Sequence, residues 1–159
     1  MPRTTMLMLV LLITGVAPAA EGPFLASGIK IGEVTSDSAI IWTRLTAAQR
    51  RVTGDAQALP RETADEQIPS LEGAVPGQAG GAALEICTTP DFADAKQFET
   101  ALTRADADFT HQWRIDSLKP ATKYFVRITA MRQGDVPTAR ILGSFTTAPL
   151  PELWQDVRF

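Results

Sequence analysis

The segment Leu118-Lys119-Pro120-Ala121-Thr122-Lys123-Tyr124 runs straight into Phe125-Val126-Arg127-Ile128-Thr129-Ala130. This turn followed by strict alternation constrains the fold more than any other stretch of the chain. Pro120 presets its φ at about −65° and has no N–H to give to a ladder, so the turn lies outside any sheet. Beyond it, Tyr124, Val126, Ile128 and Ala130 share one face of an extended strand, while Lys123, Phe125, Arg127 and Thr129 take the other. A Tyr at the start of such a strand can bury its ring and return its hydroxyl to the backbone upstream. That corner is a feature of immunoglobulin-like sandwiches.

Other segments carry the same two-residue period. Residues 28–34 (GIKIGEV) read as a first strand, and Thr35-Ser36-Asp37-Ser38 as a turn. Residues 39–45 (AIIWTRL) are dense in β-branched and aromatic residues; Ile40 and Trp42 are expected to face the core, with Ile41 and Thr43 outward. Strand character returns at 82–88, closed by Thr89-Pro90-Asp91-Phe92, and a short strand is expected around 96–100. Residues 107–118 hold Phe109, His111, Trp113 and Ile115 at alternate positions, so half of that strand should be buried. Gln133-Gly134-Asp135 reads as a turn, residues 140–147 as the last strand, and Ala148-Pro149-Leu150-Pro151 as a stiff exit. Six or seven short strands at regular spacing predict an all-β, immunoglobulin- or fibronectin type III-like antiparallel sandwich. From Thr46 to Gly80 there is no aromatic residue, and Pro60, Pro69, Pro76 and four glycines punctuate polar sequence. That stretch, 46–80, is expected to be a long flexible insertion.

The N-terminus predicts export. Arg3 precedes the apolar run Met6-Leu7-Met8-Leu9-Val10-Leu11-Leu12-Ile13, and Ala17-Pro18-Ala19 supplies a small-residue cleavage site. Residues 1–19 therefore read as a signal peptide, too short for the roughly 20 apolar residues of a membrane span. No twin-Arg pair precedes the apolar run, which favours the general secretory route. The expected localisation is periplasmic or extracellular, with no membrane attachment after cleavage. Residues 20–149 then form one domain, and 150–159 a linker and the start of something further. The chain holds 15 Lys and Arg against 18 Asp and Glu, a net charge of −3. Such a balance makes no electrostatic case for nucleic acid.

Chemistry-bearing residues are sparse. Cys87 is the one cysteine, so no internal disulfide is possible; alternation with Leu84 and Ile86 puts it on the less buried face, as an inert half-buried thiol. The one histidine, His111, lies inside an alternating strand next to Trp113 and reads as structural. Asp106 and Asp108 flank Ala107 and decorate the start of a strand, while Glu62, Asp65 and Glu66 fall in the polar insertion. Gly80-Gly81 reads as a hinge, because no phosphate-loop pattern surrounds it. No catalytic residue, metal ligand or cofactor-binding residue is expected.

Four motifs in order carry a family resemblance. Residues 28–45 (GIKIGEVTSDSAIIWTRL), the Cys87-Thr88-Thr89-Pro90-Asp91-Phe92 turn, the 118–124 corner and Gly143-Ser144-Phe145-Thr146-Thr147-Ala148-Pro149 together resemble the N-terminal domain of PhoD-like alkaline phosphatases. The resemblance covers nearly all of the chain past residue 19 except 46–80. It implies a non-catalytic sandwich ahead of a metallophosphoesterase domain that would begin near Val157-Arg158-Phe159. The metal ligands and nucleophile of such enzymes belong to that second domain, which is the implied partner in cis, so none maps onto a residue here. The single Arg3 departs from the twin-Arg leader frequent in the family. Outward apolar residues such as Ile41 and Phe125, with Trp154 in the exit, are the expected contacts. The alternative is a free-standing, secreted fibronectin-like binding or adhesion module whose insertion serves as the binding loop.

Overall fold

The computed structural model describes residues 21–51, 53 and 73–153. The expected signal peptide, Glu62, Asp65, Glu66, Trp154 and the 157–159 segment lie outside the described residues. Among the described residues the strands are β1 (Ile29–Gly32), β2 (Ala39–Arg44), β3 (Gly80–Cys87), β4 (Lys96–Gln97), β5 (Ala101–Thr103), β6 (Thr110–Ile115), β7 (Lys123–Arg132) and β8 (Val136–Thr146). They form two antiparallel sheets: β1-β2-β6, and β4-β3-β7-β8 with β5 also paired to β3. The molecule is the all-β sandwich that the alternation predicts.

The core lies between the sheets. Leu84, Val126, Ile128, Ala82 and Ala130 of the larger sheet meet Ile41, Trp113 and Ile115 of the smaller one. Side chains such as Ile41, Leu84 and Ile128 are fully buried, which stabilises the fold by about 1.5–3 kcal/mol each relative to exposure. The facing sheets close at one side where β1 leans on β8. A methyl group at Gly143 would sit 3.3 Å from Ile29 Cγ2 and 3.5 Å from Ile31 Cδ1, so the glycine lets these strands approach.

Several expectations are corrected. On β2 the inward face carries Ala39, Ile41 and Thr43, while Ile40 and Trp42 point outward and stay half-buried. Residues 40–42 are apolar on both faces, so local alternation could not choose between them. Pairing with β6 decides, because Ile41 stands opposite Trp113 and Ala39 opposite Ile115. Ile41 is thereby removed as a surface contact. The Gly80-Gly81 hinge is instead the paired start of β3, with Gly80 opposite Thr103 and Gly81 opposite both Leu102 and Met131. A Cβ at Gly80 would lie 2.5 Å from Pro23 Cγ and 2.7 Å from the Met131 carbonyl oxygen, so close packing is what requires glycine there. The strand expected from 107 begins at Thr110, because Ala105–Ala107 form a 3-10 turn and Asp108 and Phe109 follow at φ +48° and +57°. The last strand starts earlier than expected, at Val136. Pro137 is tolerated because β8 is an edge strand with a register shift opposite Ala130 and Met131, where the Thr138 hydroxyl donates to the Ala130 carbonyl (3.1 Å).

Candidate functional site

The loops gather at two opposite poles. At one, the chain enters past Phe24, the insertion leaves β2 and returns to β3, and the 104–109 and 133–135 turns converge. Phe24 and Thr46 exchange backbone hydrogen bonds of 2.7 and 2.9 Å, and Thr46 also bridges to Gly77. Ala47 N–H donates to the Pro76 carbonyl (2.8 Å). Arg44 straps both feet of the insertion: its Nη1 donates to the Val75 carbonyl (2.8 Å), while Nε and Nη2 grip the Asp108 carboxylate at 3.0 and 2.9 Å. The Arg44 side chain is mostly covered, and a forked carboxylate grip holds a guanidinium more firmly than a single contact would. The strand-opening role expected of Asp108 is thus a specific anchoring role, 64 residues from its partner. A depression of about 430 Å³ opens at the start of β3 and the end of β7, lined by Gly80, Leu102, Arg104, Arg132 and Gly134 among others.

At the other pole, three separate segments are woven together around the 118–124 corner. Tyr124 is buried and stacks on Phe145 across β7 and β8, with ring centroids 5.6 Å apart. Its hydroxyl accepts a hydrogen bond from Lys119 N–H at 2.8 Å, which is the corner read from the sequence. The Thr147 hydroxyl donates to the Lys119 carbonyl (2.6 Å) and accepts from Thr122 N–H (2.9 Å). Ala121 N–H donates to the Ala148 carbonyl, Ala148 N–H to Thr35, and Leu118 N–H to Asp37. The 35–38 turn, the corner and the chain exit therefore share one network of hydrogen bonds.

The outer face of the larger sheet carries a charged layer that alternation alone did not reveal. Arg127 donates through Nε and Nη2 to the two Glu85 carboxylate oxygens, at 2.5 and 2.6 Å, across the β3–β7 pairing. The Phe92 ring, held on a backbone of φ +58°, lies 4.3 Å from the same guanidinium. The hydrogen bond from Arg127 holds the Glu85 carboxyl below its ordinary pKa, against opposing desolvation. Phe125 faces outward, as expected, under the Lys123 ammonium at 5.2 Å, and Leu142 stands exposed opposite Arg127.

The remaining reactive groups stay apart. Cys87 belongs to the outward row opposite Phe125, yet it is buried, contrary to expectation. The turn after β3 covers it, and its S–H donates to the Thr89 carbonyl (2.7 Å). His111 meets Trp113 edge to face at 4.6 Å, and partial burial lowers its pKa. The Trp113 indole N–H is buried without a hydrogen-bond acceptor among the described residues. Asp106 lies on the exposed 3-10 turn and joins neither His111 nor Cys87. Among the described residues, no three His, Cys, Asp or Glu side chains gather in a way that could hold a metal ion.

A family model describing the PhoD-like phosphatase N-terminal domain matches residues 13–149 of this chain. The chain belongs to the PhoD-like phosphatase N-terminal domain family. A solved structure of PhoD aligns with 22% identity and a TM-score of 0.55, over 85% of this chain and 21% of that one. The chain thus spans about a fifth of the length of the PhoD chain it matches. Looser matches, which carry no argument, include the sensor domain of the anti-sigma factor RsgI4 of Pseudobacteroides cellulosolvens (16% identity over 84% of this chain and 100% of that one, TM-score 0.48). A human fibronectin type III domain matches with 13% identity over 90% of this chain and 92% of that one, at a TM-score of 0.46. No curated protein matches the sequence. In this PhoD-like N-terminal domain the most organised feature is the woven pole at the exit, and the matched region ends there, at Pro149.

Proposed function

We propose that the chain is the non-catalytic front domain of an exported PhoD-like metallophosphoesterase, and that it packs on and supports a catalytic domain of the same polypeptide. The family match to an N-terminal phosphatase domain carries this reading. The scattered placement of His111, Cys87, Asp106 and Asp108 supports it, since a hydrolase needs a nucleophile, a base in hydrogen-bond reach and an orienting partner. The charged n-region and Ala17-Pro18-Ala19 site support passage to the periplasm or beyond. Substrate and metals would belong to the second domain. A purified fragment of residues 20–159 should show no hydrolysis of p-nitrophenyl phosphate or bis-p-nitrophenyl phosphate with a panel of divalent and trivalent metal ions added. Metal-dependent turnover by that fragment would refute the assignment.

One observation favours a second reading, a free-standing binding module. The two ends of the insertion, the 104–109 turn and the 133–135 turn converge on one pole beside a depression, the arrangement that binding loops adopt on sandwich folds. A reading frame that closes after Phe159 would favour it over the first.

A further inference from the structure

We propose that the woven pole around Lys119, Thr147 and Leu150 is the interface with the domain that follows, and that the opposite pole and the outer sheet face stay free of that domain. The inference rests on the reading above and adds the surface to it. Three observations carry it. First, the family match ends at Pro149, which stands at this pole, and the matched part of PhoD is a fifth of that chain, so the rest of a PhoD-like polypeptide continues from here. Second, the exit is not a free tether. Thr147 bonds to Lys119 and Thr122, and Ala148 bonds to both Ala121 and Thr35, so the direction of departure is set by two neighbouring turns. Third, Leu150, two residues past Ala148, leaves 44% of its surface exposed, and Leu118 and Pro120 of the corner are only half-buried.

Chain reach keeps the start of that domain at this pole. Pro151–Leu153 form a 3-10 turn, which rises only about 2 Å per residue. From Ala148 the chain is therefore still within roughly 15 Å of this pole at residue 153, under half the span of the ten-residue β7 at about 3.3 Å per residue. The alternatives are also less suited. Leu142, 63% exposed, stands beside the Glu85–Arg127–Phe92 layer, whose charges are already paired, and Leu102, 74% exposed, lies at the insertion pole. Apolar side chains around a rigid, hydrogen-bonded exit are the composition of an interface core with a polar rim.

Hydroxyl-radical footprinting of the protein as its reading frame encodes it tests the proposal without a variant. If both leucines are free, Leu150 oxidises at about 0.7 of the Leu142 rate, the ratio of 44% to 63% exposure. If the following domain covers Leu150, its rate drops roughly fivefold below that, to the level of core side chains at or below 9% exposure, while Leu102 and Leu142 remain reactive. A Leu150 to Leu142 ratio near 0.7, or protection of Leu142 or Leu102 in its place, overturns the interface and leaves the two-domain reading standing. A reading frame closing after Phe159 overturns the two-domain reading itself, before any footprint is taken.

Discussion

Removing one oxygen atom from Tyr124 gives the sharpest test of the woven pole. In Tyr124→Phe the ring remains, stacked on Phe145 at 5.6 Å, so the apolar packing is kept. What disappears is the acceptor for Lys119 N–H at 2.8 Å. Leaving that amide without its partner costs about 1–2 kcal/mol, the lower part of the usual range because the bond is only part-buried. Thr147→Val removes a donor to the Lys119 carbonyl and an acceptor for Thr122 N–H, at a side chain only 2% exposed, and should cost about 2–3 kcal/mol. Both substitutions loosen the same Lys119 residue. The double variant should therefore lose less than the sum, by about 0.5 kcal/mol or more. Urea melts of residues 20–159, followed by tryptophan fluorescence, read these losses directly. With a slope of about 1.5 kcal/mol per molar, Tyr124→Phe should lower the midpoint by roughly 1 M. An unchanged Tyr124→Phe midpoint, or strictly additive losses, would refute the account of the corner as one coupled network.

Two further outcomes follow from the same geometry. Gly80→Ala should destabilise by about 1–3 kcal/mol, because its Cβ would press on Pro23 Cγ and the Met131 backbone oxygen, whereas Gly143→Ala meets only side-chain carbons at 3.3 Å or more and should cost under about 1 kcal/mol. Equal melting temperatures for the two alanine variants would count against the close packing at Gly80. Folding depresses the Glu85 pKa below its ordinary 4.5 through the Arg127 hydrogen bond, so its stabilisation is complete above pH 4.5 and fades as pH falls through the lower native value. Glu85→Gln should therefore be less stable than the parent at pH 7, by about 1 kcal/mol for a partly exposed pair, with the gap narrowing as the pH falls below 4.5. A gap that stays constant through that fall would remove the ion pair as its cause.

The sequence was most legible where interactions are local. Tyr124 reaches back only five residues to Lys119, and Pro120 forces the turn between them, so the corner could be read without knowing any partner strand. The inner residues Trp113 and Ile115 of β6 were legible for a related reason, since the apolar residues of that strand fall on one parity only, and in β7 the unbroken run Tyr124, Val126, Ile128 and Ala130 marks the core face. Family membership followed from the order of such local motifs.

Tertiary structure decided what local period leaves degenerate. Ile40, Ile41 and Trp42 offer apolar side chains to both faces, and only the pairing of Ile41 with Trp113 settles which one is buried. Cys87 has the parity of an outward residue, yet the turn that closes over it makes it a buried one. Arg44 and Asp108 lie 64 residues apart, as Arg127 and Glu85 lie 42 apart, and no spacing rule joins such pairs before the sheets assemble. Nor could the sequence show that Thr147, Lys119 and Thr35 meet. Their hydrogen bonds exist because the first turn, the corner and the last strand all end at one pole, and that convergence belongs to the folded topology. The corner alone specified a sandwich; its contacts with the exit determine the direction in which the chain leaves it.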